Sequence, residues 1–240
     1  MHSPFVFDFI LHVLNNRNGY TPPAEMEDLR KRLLKDFTTI EVEDLGAGSR
    51  KGAPKKRSVK QIAATAVKPR KWSHFLYRLV RHYSPNNIIE LGTSLGLSTA
   101  YMAAAHPGAT VYTIEGSTAI QQLAAQHFAL LGRQNIQSFQ GHFDAILPSV
   151  LAKTSSVDLS YIDGNHRYAP TLSYFNQLLP KINNNSIFIF DDIHWSAEME
   201  QAWREIKKHP SVTVSVDLFF MGLVFFRQEV KVPQHYAIRF

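Results

Sequence analysis

Between Asn87 and Asp191 the chain alternates short apolar runs with longer amphipathic ones, and that alternation leaves few folds open. Asn87–Gly92, Thr110–Glu115, Asn135–Gln140, Val157–Asp163 and Ser186–Asp191 read as strands. Helical stretches follow them: to about His106, after Ser117 as a cap, from Asp144 to Leu151, through Tyr174 and Leu179, and from Ala197 to Lys208. Repeated strand–helix units predict a mostly parallel sheet covered on both faces. Right-handed crossovers then make it doubly wound.

The series ends differently. Val212–Val216 and Phe219–Phe226 are strand-like, and only a few residues around Asp217 separate them. No helix fits between, so they are expected to form a C-terminal antiparallel hairpin. Ahead of the series, residues 1–71 are expected to be an N-terminal helical extension and a basic connector, and 72–240 the main domain. The clearest helix of the extension begins near Pro23 and carries Met26, Leu29, Leu33, Leu34 and Phe37 on one stripe. The apolar stretch Phe5–Leu14 is available to its own domain or to a second copy in a homodimer.

Composition excludes several chemistries. The chain has no cysteine, which removes disulfides, thiolate nucleophiles and cysteine-ligated zinc. The longest apolar run, Leu218–Phe226, is too short for a membrane helix. The first residues lack a basic leader and a cleavage site, so no secretion signal is expected and the cytoplasm is the expected location. Net charge is +6, and much of the excess lies in Arg50, Lys51, Lys55, Lys56, Arg57, Lys60, Lys68, Arg70 and Lys71, with no acid between Ala47 and Trp72. Such a run suits a solvated loop, an acidic substrate or nucleic acid. No aromatic residues interleave it as stacking platforms.

The first strand ends in Glu90-Leu91-Gly92-Thr93-Ser94-Leu95-Gly96-Leu97-Ser98. Gly92 permits a tight turn, Gly96 a close ligand approach, and the next helix offers its unpaired N–H groups. A dinucleotide site would show three glycines in GxGxxG spacing, which are missing here. Glu115, followed by Gly116 and Ser117, ends the second strand, where a carboxylate can accept ribose hydroxyls.

The stretches IIELGTSLGLSTAYMA, VYTIEGS, VDLSYIDGNHRY and FIFDDIHW, in that order, resemble the Rossmann-like class I S-adenosylmethionine-dependent methyltransferases. The likeness runs from about Trp72 to Arg227. It is nearest to small-molecule O-methyltransferases of the catechol and macrolide-sugar type. The resemblance implies that Glu90 lies near the methionine moiety, and that Gly92, Thr93, Ser94, Gly96, Ser98, Glu115, Gly116 and Ser117 surround the cofactor. It also implies that His142 and Phe143 stand where the family has an acid for the adenine amine; here the pair is Gly141-His142, with Asp144 two residues on.

Asp163 ends the fourth strand, and Asp191 and Asp192 end the fifth. Three carboxylates meeting at one crevice repel unless a cation or proton compensates. An all-oxygen set of this kind suits Mg²⁺. The resemblance points the same way and adds Asp163 to the cofactor contacts. His166 stands at the offset where catechol-type enzymes place a basic residue, and His194 is the second candidate for proton acceptor. The expected reaction is methyl transfer to a hydroxyl of a small acceptor. Two alternatives remain: a nucleic-acid-modifying methyltransferase using residues 50–71, and a non-catalytic cofactor-binding module.

Overall fold

The computed structural model describes residues 3–16, 19–43 and 55–240. The elements in chain order are α1 (Pro4–Phe9), α2 (Ala24–Leu33), β1 (Thr39–Val42), β2 (Lys55–Ser58), α3 (Val59–Ala66), α4 (Arg70–Tyr83), β3 (Asn87–Leu91), α5 (Leu97–Ala105), β4 (Thr110–Glu115), α6 (Thr118–Leu130) and β5 (Ile136–Gln140). They continue with α7 (Phe143–Leu151), β6 (Leu159–Ile162), α8 (Tyr168–Leu178), β7 (Ile187–Asp191), α9 (Ala197–Lys208), β8 (Val214–Asp217), β9 (Met221–Phe225) and β10 (Gln234–Ala237).

Eight strands form one sheet in the order β10-β8-β9-β7-β6-β3-β4-β5. β7, β6, β3, β4 and β5 are parallel, as the strand–helix alternation requires. β9 lies antiparallel between β7 and β8, so the expected hairpin is present and its second arm is the inner one. β10, which the sequence pattern did not reveal, adds a parallel edge beside β8.

Every residue of β6, β7 and β9 is buried. Their side chains alternate between two cores, as the pleat demands. Ile88, Tyr161, Ile189, Leu223 and Phe225 face one core, which takes in α4, α5 and the N-terminal helices. Ile89, Ile162, Phe188, Phe190 and Val224 face the other, under α7, α8 and α9. Phe5 and Phe9 both meet Phe225 edge-on, which seats α1 on its own sheet, while Phe7 and Leu11 are exposed.

Two expectations for the N-terminal part need correction. α2 buries Met26, Leu29 and Leu33, but Leu34 and Phe37 are exposed because the helix ends at Leu33 and the stripe ends with it. The end of the basic connector is a strand rather than a loop: β2 pairs with β1 in a separate two-stranded ladder, with Glu41 opposite Lys56. β2 is wholly polar and carries no apolar alternation, and it is held by β1. Arg50, Lys51 and the connector up to residue 54 lie outside the described residues. Among the described residues, no helix is long and apolar enough to cross a membrane.

Candidate active site

The chain runs β3, β4, β5 in one direction and then returns to place β6 on the other side of β3. At such a reversal the loops at the carboxyl ends of the strands diverge and leave a crevice. A cleft of about 580 Å³ lies there, lined by Gly92, Ser94, Glu115, Gly116, Gly141–Asp144, Asp163–His166 and Asp192. Lys55, Arg57 and Lys68 line it from the N-terminal side.

Gly92 makes the tight turn after β3, with φ of +103°, and a Cβ there would lie 2.1 Å from the main-chain oxygen of Asp163. Only glycine lets β3 and β6 end this close together. Gly96 has another task. It precedes α5 with φ of +81°, and its open side is filled by the Phe128 ring of α6. It therefore serves helix packing, and it is not among the residues lining the cleft.

Glu90 is fully buried. Its carboxylate accepts hydrogen bonds from Ser98 Oγ at 2.6 Å, Thr113 Oγ1 at 2.6 Å and Thr99 Oγ1. Burial lifts its pKa to about 7 against the pull of these hydroxyls. Thr93 and Thr113 share a further hydrogen bond of 2.6 Å. Glu90 thus ties the first turn of α5 to β4 underneath the crevice, and Ser98 and Thr93 are spent on the same network.

Glu115 lies at the cleft wall. Its two oxygens accept the main-chain N–H groups of Ser94 at 2.8 Å and Ser117 at 3.0 Å. Burial raises its pKa, and these N–H groups oppose the rise. Ser117 was expected to cap α6, but its side chain makes no cap bond, while its own N–H is held by Glu115. The hydroxyls of Ser94 and Ser117 are buried and have no hydrogen-bond partner among the described residues. His142 precedes α7, and Phe143 meets Tyr174 edge-on; both line the cleft, as does Asp144.

Asp163, Asp191 and Asp192 do converge. Asp191 is 2% exposed and ends β7, and Asp192 follows with φ of +54°. Oxygens of Asp163 and Asp191 and a ring nitrogen of His166 lie within 4.8 Å of one another, a spacing that could hold a metal ion. His166 Nε2 is 3.6 Å from Asp163 and 4.0 Å from Asp192. The buried Tyr161 donates its hydroxyl to Asp163 Oδ2 at 3.0 Å.

A residue that sequence reasoning did not single out sits among these acids. Lys68 Nζ is ion-paired with Asp191 and lies 3.3 Å from Asp163. Burial works against its charge, but Asp163, Asp191 and Asp192 together raise its pKa above the ordinary lysine value. Burial and the Asp163 charge raise Asp191 well above the usual carboxylate range, and Lys68 offsets part of that rise.

His194 is elsewhere. Its Nε2 is 2.9 Å from Asp217, its Nδ1 3.6 Å from Glu200, and its ring stacks on Phe219. It borders a separate depression with Asp217, Phe220 and residues 237–240. The structure does not bring it to the acids at the strand ends.

Comparison with known proteins agrees with the fold. Residues 89–193 match a family described as a methyltransferase domain. An uncharacterized protein of Acanthamoeba polyphaga mimivirus is 30% identical over 66 residues, which cover 26% of this chain and 30% of the viral protein. The match thus spans less than a third of that relative. The O-methyltransferase TomG of Streptomyces achromogenes, involved in tomaymycin synthesis and solved with S-adenosylmethionine, superposes with a TM-score of 0.59. It is 20% identical, over 67% of this chain and 82% of its own. The O-methyltransferase of Bacillus cereus, solved with S-adenosylhomocysteine, superposes with a TM-score of 0.63 at 18% identity, over 92% of this chain and 97% of its own. Residues 89–193 are therefore similar to a methyltransferase domain, and the chain has the fold of the class I S-adenosylmethionine-dependent O-methyltransferases.

Proposed function

We propose that this protein transfers a methyl group from S-adenosylmethionine to an oxygen of a small acceptor bound in the strand-end cleft. The observation that carries the reading is the carboxylate of Glu115, fixed by two main-chain N–H groups at the wall of that cleft. A carboxylate so held has lone pairs left for two ribose hydroxyls. The unpartnered hydroxyls of Ser94 and Ser117 flank it, which suits a polar ligand. Gly92, Ser94, Gly116, His142, Phe143 and Asp163 form the rest of the proposed nucleoside site. Glu90, Thr93, Gly96 and Ser98 support it from beneath.

When bound, S-adenosylmethionine supplies a methyl group on a positively charged sulfur; the acceptor oxygen bonds to it as the sulfur–carbon bond breaks. The protein's part is chiefly alignment. His166, with its Nε2 3.6 Å from Asp163 and 4.0 Å from Asp192, is the group in the cleft suited to take the hydroxyl proton. Lys55 and Arg57 at the N-terminal side favour an acceptor with acidic character.

Asp163, Asp191 and His166 would be the holders of a Mg²⁺ ion. The reason to expect one was uncompensated negative charge; the Lys68 ammonium offsets one of the three carboxylates and already occupies the contacts of Asp163 and Asp191. The donor set with its lysine in place does not fit a resident divalent ion, so no step is assigned to one.

Titration calorimetry with S-adenosylhomocysteine tests the reading. Glu115→Ala is expected to weaken binding by about tenfold or more, equivalent to about 1.4 kcal/mol. Equal binding by the wild type and the variant would remove Glu115 from the site, and NAD binding in place of the nucleoside would remove the reading itself.

A further inference from the structure

We propose that the Lys68 ammonium is the permanent cation of this cleft, standing where the strand-end acids would otherwise gather a divalent ion, and that it holds the acceptor oxygen. The second part rests on the proposed methyl transfer; the first does not.

Position is the first argument. Lys68 Nζ is ion-paired with both Asp163 and Asp191, the two acids that can share a metal with His166. A divalent ion entering this space would have to displace the ammonium and break both pairs. Asp191 is 2% exposed at its side chain and Lys68 18%, so water would compensate little of that loss.

Construction is the second argument. A lysine that merely fell into the acids would be a flexible tether, whereas this one has a fixed base. Pro69 follows it, bars it from helical geometry and opens α4. Arg30 of α2 donates to the Lys68 carbonyl at 2.5 Å and to Ser73 Oγ at 2.7 Å. Ser73 Oγ also donates to the same carbonyl at 3.4 Å. Arg30 itself leans on Glu27, which Tyr101 and His74 also approach. The N-terminal helices thus carry a cation into a crevice built by the sheet.

Donor count is the third argument. An ammonium has three N–H groups. Asp191 takes one and Asp163 is ion-paired at 3.3 Å, which leaves a donor for an oxygen in the cleft that Lys68 lines. A charged donor there would orient an acceptor hydroxyl and steady its oxygen as the proton passes to His166.

Manganese(II), read by the electron paramagnetic resonance signal of the free ion, tests the inference without an acceptor. The wild type, Lys68→Met, Lys68→Arg and Lys68→Met/Asp191→Asn are each mixed with one equivalent of Mn²⁺, after circular dichroism has shown which variants are folded. The wild type and Lys68→Arg are expected to leave the free-ion signal intact. Lys68→Met is expected to take up most of the ion, and the double variant to release it. Uptake by the wild type, or no uptake by folded Lys68→Met, overturns the inference. Should Lys68→Met not fold, Lys68→Gln takes its place with the same two outcomes. Calorimetry with S-adenosylhomocysteine on the same wild-type sample reads the methyl-transfer assignment separately. A wild type that ignores both Mn²⁺ and the nucleoside would sink that assignment and leave the cation placement to the lysine variants.

Discussion

The guanidinium of Arg30 lies 2.5 Å from the main-chain oxygen of Lys68, joining a helix of the N-terminal extension to the residue that is ion-paired with Asp163 and Asp191. Arg30 is largely buried, at 11% side-chain exposure, and its bonds to the Lys68 carbonyl and to Ser73 are donated by a charged group. Such bonds are worth about 1.5–3 kcal/mol. Arg30→Ala is expected to lower unfolding stability by about 2 kcal/mol in urea titration. A loss below a few tenths would show that α2 does not anchor Lys68.

Gly92 offers a sharper contrast. Alanine there meets both a left-handed backbone and the Asp163 oxygen at 2.1 Å, whereas Gly132 has φ of +62° with nothing near its missing Cβ. Gly132→Ala should cost about 1 kcal/mol, the ordinary penalty of that conformation. Gly92→Ala should cost on the order of 3 kcal/mol or more, because β3 and β6 must also separate. Thermal melts of the two variants in one buffer compare them directly, and equal costs would contradict the close approach.

Glu90 gives a pH signature. Its folded pKa of about 7 is above the ordinary 4.5, so the folded state binds the proton more tightly than the unfolded one. Its stabilising contribution is full below pH 4.5 and is lost as the pH rises through about 7. Between pH 5 and pH 8 the wild type should therefore lose about 2–3 kcal/mol relative to Glu90→Gln. Urea titrations at the two values measure that difference. A gap that stays constant with pH would mean that Glu90 is not the titrating group.

Much of the sheet was legible from local pattern. β4 and α9 have the bounds that Thr110–Glu115 and Ala197–Lys208 suggested, because β4 is a short β-branched and aromatic run with a buried centre and Ser196 caps α9 through its side chain. β10 was hidden: Gln234–Ala237 is a half-exposed edge whose position depends on β8, a partner seventeen or more residues away in the chain. The convergence of Asp163, Asp191 and Asp192 was also legible, since strand order fixes where strand ends meet. The cation that answers them was not. Lys68 stands in a run of like charges beside Arg70 and Lys71, and only its place before Pro69 sets it apart. His194 was misleading for the converse reason, since nearness to Asp191 in sequence put it under suspicion while the turn at Asp192, with φ of +54°, carries it to Asp217. Ser117 stood where a cap belongs, but its hydroxyl makes no cap bond; it is Ser117's own N–H that is held, by Glu115 two residues back.

The most direct test of the proposed site is a crystal structure with S-adenosylhomocysteine at saturating concentration. The ribose hydroxyls are expected on Glu115, the adenine beside His142 and Phe143, and the sulfur on the side of the cleft facing Lys68 and His166. Density for the nucleoside in the depression beside His194, or none in the strand-end cleft, would contradict it.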